Sequence, residues 1–231
     1  MHALSIPKWA VERVVERHGT AHPYADLDPA RTALVVVDMQ NGFMVEGVAH
    51  ALCRTAVEIV PNVNRLAAAV RRAGGRVVWI RNTYDPTWLT MQANVRAEKV
   101  AKRIESMTEG SVGHQLYPEL DIKPGDTIVQ KYRFSAFLPE SSDLAVSLRA
   151  GGYDTVLIAG TVTNVCCESS ARDAMMMSFK TVMVSDANAA NSDEEHNASL
   201  VNFYVTFGDV MDTAYLIERL EANAAARIAA E

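Results

Sequence analysis

"TALVVVDM", residues 32–39, sets an unbroken apolar run against a closing aspartate, Asp38. Apolar residues in continuous rather than alternating order indicate a strand buried on both faces, which is the habit of parallel sheets. Four further runs share the pattern: "RVVWIRN" (76–82), "DTIVQK" (126–131), "DTVLIAG" (154–160) and "TVMVSD" (181–186). Between them lie segments of helical spacing, "AVEIVPNVNRLAAAVRRAGG" (56–75), "SSDLAVSLRAGG" (141–152) and "CCESSARDAMMMSF" (166–179), two of which end in Gly-Gly as helices often do. Strand and helix in repeated alternation predict an α/β fold: a three-layer α-β-α open doubly wound sheet, mostly parallel and Rossmann-like. With no repeat and no Pro/Gly/Ser-rich linker, one domain over 1–231 is expected, with residues 1–30 as an N-terminal extension. Residues 85–120 break the alternation, with an exposed helix in "MQANVRAEKVAKRIES" and then a loop, and read as a lid-like insertion or a surface decoration.

Composition narrows the partners. The chain has 231 residues and a formal net charge of −6, with its cations dispersed, which argues against nucleic acid or an anionic membrane. No run approaches the roughly 18 apolar residues of a membrane span, and Glu12 and Glu16 interrupt the start as a signal peptide would not allow. Three cysteines, two of them adjacent, suggest free thiols and a reducing, cytoplasmic setting.

In open α/β sheets ligands sit beyond the carboxyl ends of the strands. Those ends supply Asp38, Gln40 and Asn41; Asn82, Tyr84 and Asp85; Lys131, Arg133 and Ser135; and Thr161, Thr163, Asn164 and Cys166. An acid, an amine and a thiol therefore converge on one rim. If a helix begins near Cys166, then Cys167, Ala171, Ala174, Met175 and Ser178 form its sheet-facing stripe, and Cys167 is a small core hydrophobe. Cys166 then falls in the first turn, where free N–H groups and the helix dipole are expected to lower its pKa. Cys53 has no such context. Asp186, Asp193 and His196 read as a strand-end cap and an exposed helix start.

The stretches "ALVVVDMQNGF" (33–43), "QKYRFSAF" (130–137) and "IAGTVTNVCCESSARDAMMMSF...VSDA" (158–187) resemble the three signature blocks of the isochorismatase-like cysteine hydrolases, in family order. The resemblance implies an isochorismatase-type fold and a catalytic triad of Asp38, Lys131 and Cys166. It also implies a non-proline cis peptide between Thr161 and Val162, and an oxyanion hole from the N–H groups of Val162 and Cys166. Asp38 would accept the thiol proton and Lys131 would stabilise the charges. Acyl transfer to sulfur and hydrolysis would follow, with no metal or other cofactor.

Within that family the strongest likeness is to ureidoacrylate amidohydrolases, through "RNTYD" (81–85), "KYRFSAF" (131–137) and "TNVCCESSARDA" (163–174). Tyr84 stands where those enzymes have tryptophan, and Phe134 where they have tyrosine. The expected substrate is a small carbamoyl or ureido amide bearing a carboxylate, which Arg133 or another cation binds. Gln40, Asn41, Asn82, Tyr84, Arg133, Phe134 and Ser135 are the expected substrate contacts. Other small amides (N-carbamoyl amino acids, biuret-like or nicotinamide-like compounds) remain open, as do a non-catalytic binding protein and a redox pair of Cys166 with Cys167. Nicotinamidase-like relatives carry histidines near the second strand, and "WIRNTYDPTW" (79–88) has none. The resemblance also implies a homo-oligomer, for which "FGDVMDTAYLIERL" (207–220) offers an apolar helix.

Overall fold

A computed structural model describes residues 1–230. In chain order its elements are α1 (Lys8–His18), β1 (Thr32–Val37), α2 (Asn41–Met44), α3 (Val60–Arg72), β2 (Arg76–Asn82), α4 (Leu89–Ala93), α5 (Ala97–Met107), β3 (Thr127–Lys131), α6 (Leu144–Ala150), β4 (Thr155–Thr161), a π-helical turn (Thr163–Cys167), α7 (Glu168–Met176), β5 (Lys180–Ala189), α8 (Asp193–Thr206), β6 (Asp209–Met211) and α9 (Thr213–Ala230). The six strands form one sheet in the order β3-β2-β1-β4-β5-β6, and every pairing is parallel.

Each strand alternates its side chains between two cores, so a sheet buried on both faces needs apolar residues at every position. Leu34, Val36, Trp79, Leu157 and Val184 pack with α3 and α9 on one face. Ala33, Val35, Ile80, Ile158 and Met183 pack with α1, α6, α7 and α8 on the other. The chain winds outward from β1 to β3 and then restarts at β4 on the other side of β1. The topological switch therefore lies between β1 and β4, where a crevice opens beyond the strand ends.

Two segments differ from the sequence reading. Residues 209–211, taken as part of an apolar helix, are the edge strand β6, and the last helix starts only at Thr213. Three residues are too short to show a periodicity of their own. The helix carrying the vicinal cysteines is entered through a π turn and ends at Met176, so that Met175 and Ser178 are exposed while Cys167, Ala171 and Ala174 are buried.

Gly160 lets β4 lie against β1 at the switch. Its φ is +120°, and a Cβ there would sit 2.1 Å from the Val37 carbonyl oxygen. Gly125, by contrast, has open space around it. Gly160→Ala is expected to cost about 3 kcal/mol or more of stability, against about 0.5 kcal/mol or less for Gly125→Ala. Urea unfolding measures both; equal midpoints would show that the close approach of the strands is not a constraint.

Candidate active site

Asp38 leaves the end of β1 with φ +54°, a left-handed conformation that is uncommon for a non-glycine residue and recurs at functional sites. Its N–H donates to the Ile80 carbonyl at 3.2 Å and its own carbonyl accepts from the Gln40 N–H at 2.8 Å. The turn carries the carboxylate beneath the rim, where it is fully buried. Lys131 ends β3 in register with Asn82, is equally buried, and brings its Nζ to 2.8 Å from Asp38 Oδ2. The ammonium also donates to the Arg133 carbonyl at 3.0 Å. Its approach to Asp38 is a charge contact: neither carboxylate oxygen receives a hydrogen bond of regular geometry. Both oxygens thus keep lone pairs available for a proton.

Burial opposes the charge of Lys131, but Asp38 and Cys166 outweigh it and hold the ammonium above its ordinary pKa. Burial also raises Asp38, and Lys131 offsets that only in part. We take ammonium and carboxylate as the resting state, because two fully buried groups 2.8 Å apart are best satisfied as an ion pair, and the carboxylate in it has a raised proton affinity.

Cys166 lies in the π turn, whose wider spacing is marked by the Cys167 N–H donating to the Val162 carbonyl at 3.3 Å. Such turns are frequent at functional sites. Cys166 lines a cavity of about 450 Å³, while Cys167 is wholly within the core. The Thr161–Val162 peptide bond that leads into the turn is cis. The expected fall in the Cys166 pKa is not what the surroundings give. Burial pushes the thiol up to about 12; Lys131 lowers it, and Asp38 raises it again. Only 4% exposed, the sulfur loses more solvation than the start of the helix returns.

The other expected contacts divide into two groups. Asn82, Phe134 and Val162 line the cavity with Cys166, and Asn82 Oδ1 is buried there without a partner. Gln40, Asn41, Tyr84, Arg133 and Ser135 do not line it. Gln40 Nε2 donates to the Asn82 and His114 carbonyls, and Asn41 Nδ2 donates to the Val112 carbonyl. The Tyr84 N–H donates to the Met107 carbonyl. These three residues tie the 85–120 segment to the strand ends. The Ser135 hydroxyl accepts from the Phe137 N–H. Arg133, the expected carboxylate binder, is paired with Asp85 at 2.5 Å and lies over the Trp88 ring.

The cavity wall also holds residues that the sequence reading did not select. Met91, Val95, Lys99 and Arg103 come from the insertion, Phe43 from α2 and His50 from the segment that follows it, while Asn164, one of the strand-end candidates, joins them from the π turn. Burial draws the His50 pKa down to about 4, so the ring is neutral at pH 7. Arg103 had a signal in the sequence, since it stands three residues after Val100 and four before Met107, an arginine at apolar helical spacing. His50 had none. His196, read as part of an exposed helix start, is instead buried, with Nδ1 2.9 Å from the Thr163 hydroxyl and its ring stacked on His2.

Comparison with known proteins places this arrangement. The model of the Isochorismatase domain matches residues 32–215. A cysteine hydrolase from Pseudomonas syringae pv. phaseolicola 1448A is 30% identical, with a TM-score of 0.74 over 86% of this chain and 96% of that one. An isochorismatase-like hydrolase from Alkaliphilus metalliredigens is 29% identical, with a TM-score of 0.69 over 84% and 99%. N-carbamoylsarcosine amidase from Thermoplasma acidophilum is 27% identical, with a TM-score of 0.65 over 79% and 96%. A family match that runs from β1 into α9, and takes in the ends of β1, β3 and β4 where the acid, amine and thiol lie, shows that the chain belongs to the isochorismatase family and is a hydrolase of the isochorismatase-like type.

Proposed function

We propose that this protein is a cysteine-dependent amidohydrolase that cleaves a small carbamoyl or ureido amide through a thioester-type acyl-enzyme, an S-carbamoyl group on Cys166. The observation that carries the reading is a cavity-lining thiol with a buried Asp38–Lys131 ion pair acting on its ionisation. In this reading the thiol stays neutral until substrate arrives. Asp38 then takes its proton as sulfur attacks the amide carbon, so no free thiolate has to be held in a buried site. The N–H groups of Val162 and Cys166 receive the oxyanion. As the tetrahedral adduct collapses, the C–N bond breaks and Asp38 returns the proton to the departing nitrogen. Asp38 next activates a water that hydrolyses the S-carbamoyl group and restores the thiol, and ammonia leaves either as the first departing nitrogen or on breakdown of the carbamate. Lys131 stays charged throughout and keeps the carboxylate ionised between proton transfers.

A carbamoyl substrate is supported by the likeness to an N-carbamoylsarcosine amidase and by Asn82, a cavity-lining residue whose buried carboxamide oxygen has no partner and would suit an amide N–H donor. Ureidoacrylate is our specific candidate, on the sequence blocks around Asn82, Lys131 and Cys166. The remaining walls, with Phe43, Phe134 and Val165, suit a compact planar body. Among the described residues no helix is long and apolar enough to cross a membrane. A cytoplasmic homo-oligomer working on a small molecule completes the proposal. Ammonia release across ureido acids, N-carbamoyl amino acids, biuret, nicotinamide and simple amides tests it. Release from ureido or carbamoyl acids is expected; release from none of them would overturn the reading.

Mutations separate the roles. Cys166→Ala is expected to lose at least about 10³-fold in kcat/KM, and Cys167→Ala less than about threefold, because only the first thiol faces the cavity. Equal losses in folded variants would mean that the two thiols are misassigned.

Asp38→Asn and Lys131→Met should each lose at least about 10²-fold, and the double variant far less than the product. Their thiol titrations should move in opposite directions. Asp38 raises the thiol pKa and Lys131 lowers it, so Asp38→Asn should ionise Cys166 at lower pH and Lys131→Met at higher pH. The rate of iodoacetamide alkylation against pH reads this directly. Shifts of the same sign would show that the two residues do not act on the thiol as a charged pair.

A further inference from the structure

Arg103 is a half-buried charge without an ion-pair partner in the cavity wall. It projects from α5 of the insertion, lines the cavity that holds Cys166, and its buried Nε has no hydrogen-bond partner. Its guanidinium lies over Trp88, 5.2 Å from the ring centroid, and the Arg133 guanidinium lies over the same ring at the same distance. Asp85 serves Arg133, which also donates to the Tyr132 carbonyl. No carboxylate among the described residues forms an ion pair with Arg103. The two guanidinium groups share one indole, but the acid beside it pairs with Arg133 alone, which leaves the charge of Arg103 over.

The surroundings do not cancel that charge. Lys99, one turn earlier on α5, adds another, and His50 is neutral at pH 7. Asp38 is spoken for by Lys131. Glu195 is the one acidic side chain in the cavity wall; it is exposed, and its Oε2 accepts from the Asn191 N–H. Phe43, Phe134, Val162 and Val165 give the rest of the wall an apolar character that strengthens an uncompensated charge. A partly buried guanidinium without a counterion is costly, and a planar two-oxygen anion satisfies its fork of donors.

We propose that Arg103 is the specificity-determining residue of the cavity, binding a carboxylate of the substrate away from the scissile amide. This rests on the amidohydrolase reading and makes it narrower: substrates are monoanionic ureido or carbamoyl acids, and neutral amides of equal size are poor ones. Recognition of the carboxylate then comes from the insertion, while Asn82 and the triad act from the strand ends.

Alkylation of Cys166 tests this without requiring turnover. Iodoacetate and iodoacetamide have the same reactive carbon and differ in charge, and the ratio of their rates at one pH is independent of how far the thiol is ionised. Ordinary thiols react faster with iodoacetamide. In the wild-type protein at low ionic strength, iodoacetate should modify Cys166 at least as fast as iodoacetamide, with the site read by peptide mass. In Arg103→Met the ratio should fall about tenfold, while Arg103→Lys should keep most of it. A ratio unchanged in Arg103→Met, rates that fall in proportion for both reagents, or a wild-type thiol that iodoacetate does not modify would each overturn the assignment. Failure of the hydrolase reading would appear separately, as absent ammonia release from a protein whose alkylation still discriminates by charge.

Discussion

A carboxylate and an ammonium, 2.8 Å apart and both out of reach of solvent, fix the centre of this molecule. Taking two charges out of water costs several kcal/mol per ion, and losing one partner of such a pair typically costs about 3–5 kcal/mol. Stability alone would be served as well by apolar side chains of the same size. The pair instead constrains the fold: β1 must end in a left-handed turn at Asp38, and Lys131 must reach from β3 past the end of β2. On the other side of β1, Gly160 lets β4 come close enough to deliver the π turn and its cysteine.

The same burial decides what the thiol is before substrate arrives. A helix start alone favours a thiolate, yet here desolvation is larger, and the nearby carboxylate adds to it. The account that follows is concerted. Proton transfer to Asp38 and attack on carbon occur together, and the raised proton affinity of a buried carboxylate is an advantage because it is the base. A neutral resting thiol also meets an incoming anion without repulsion, which matters if Arg103 selects acids.

The sheet was legible because strands buried on both faces leave continuous apolar runs, and the residues that end them could be read as a rim. Asp38, Lys131 and Cys166 came from that reasoning and from the family blocks alike. Short elements such as β6 left no pattern, and the π turn hid its extra residue inside what scans as an ordinary helix start. Arg133 was legible as a cation, but its pairing with Asp85, 48 positions away, depends on the fold. Gln40 and Asn41 lie beside Asp38 in sequence and turn out to hold the insertion, a role that only tertiary contacts disclose. Arg103 was passed over because an exposed amphipathic helix accounts for an arginine well enough until the cavity is seen.

The central claim is that acyl transfer passes through sulfur at Cys166, with Asp38 as the base and Cys167 as core. Intact-protein mass spectrometry of acid-quenched reactions, with a ureido acid in the steady state, observes that step directly. The account predicts an added mass equal to the acyl fragment, mapped to Cys166 and lost on treatment with hydroxylamine. A protein that releases ammonia while carrying no adduct on Cys166 at any quench time, or carrying it on Cys167, would contradict it.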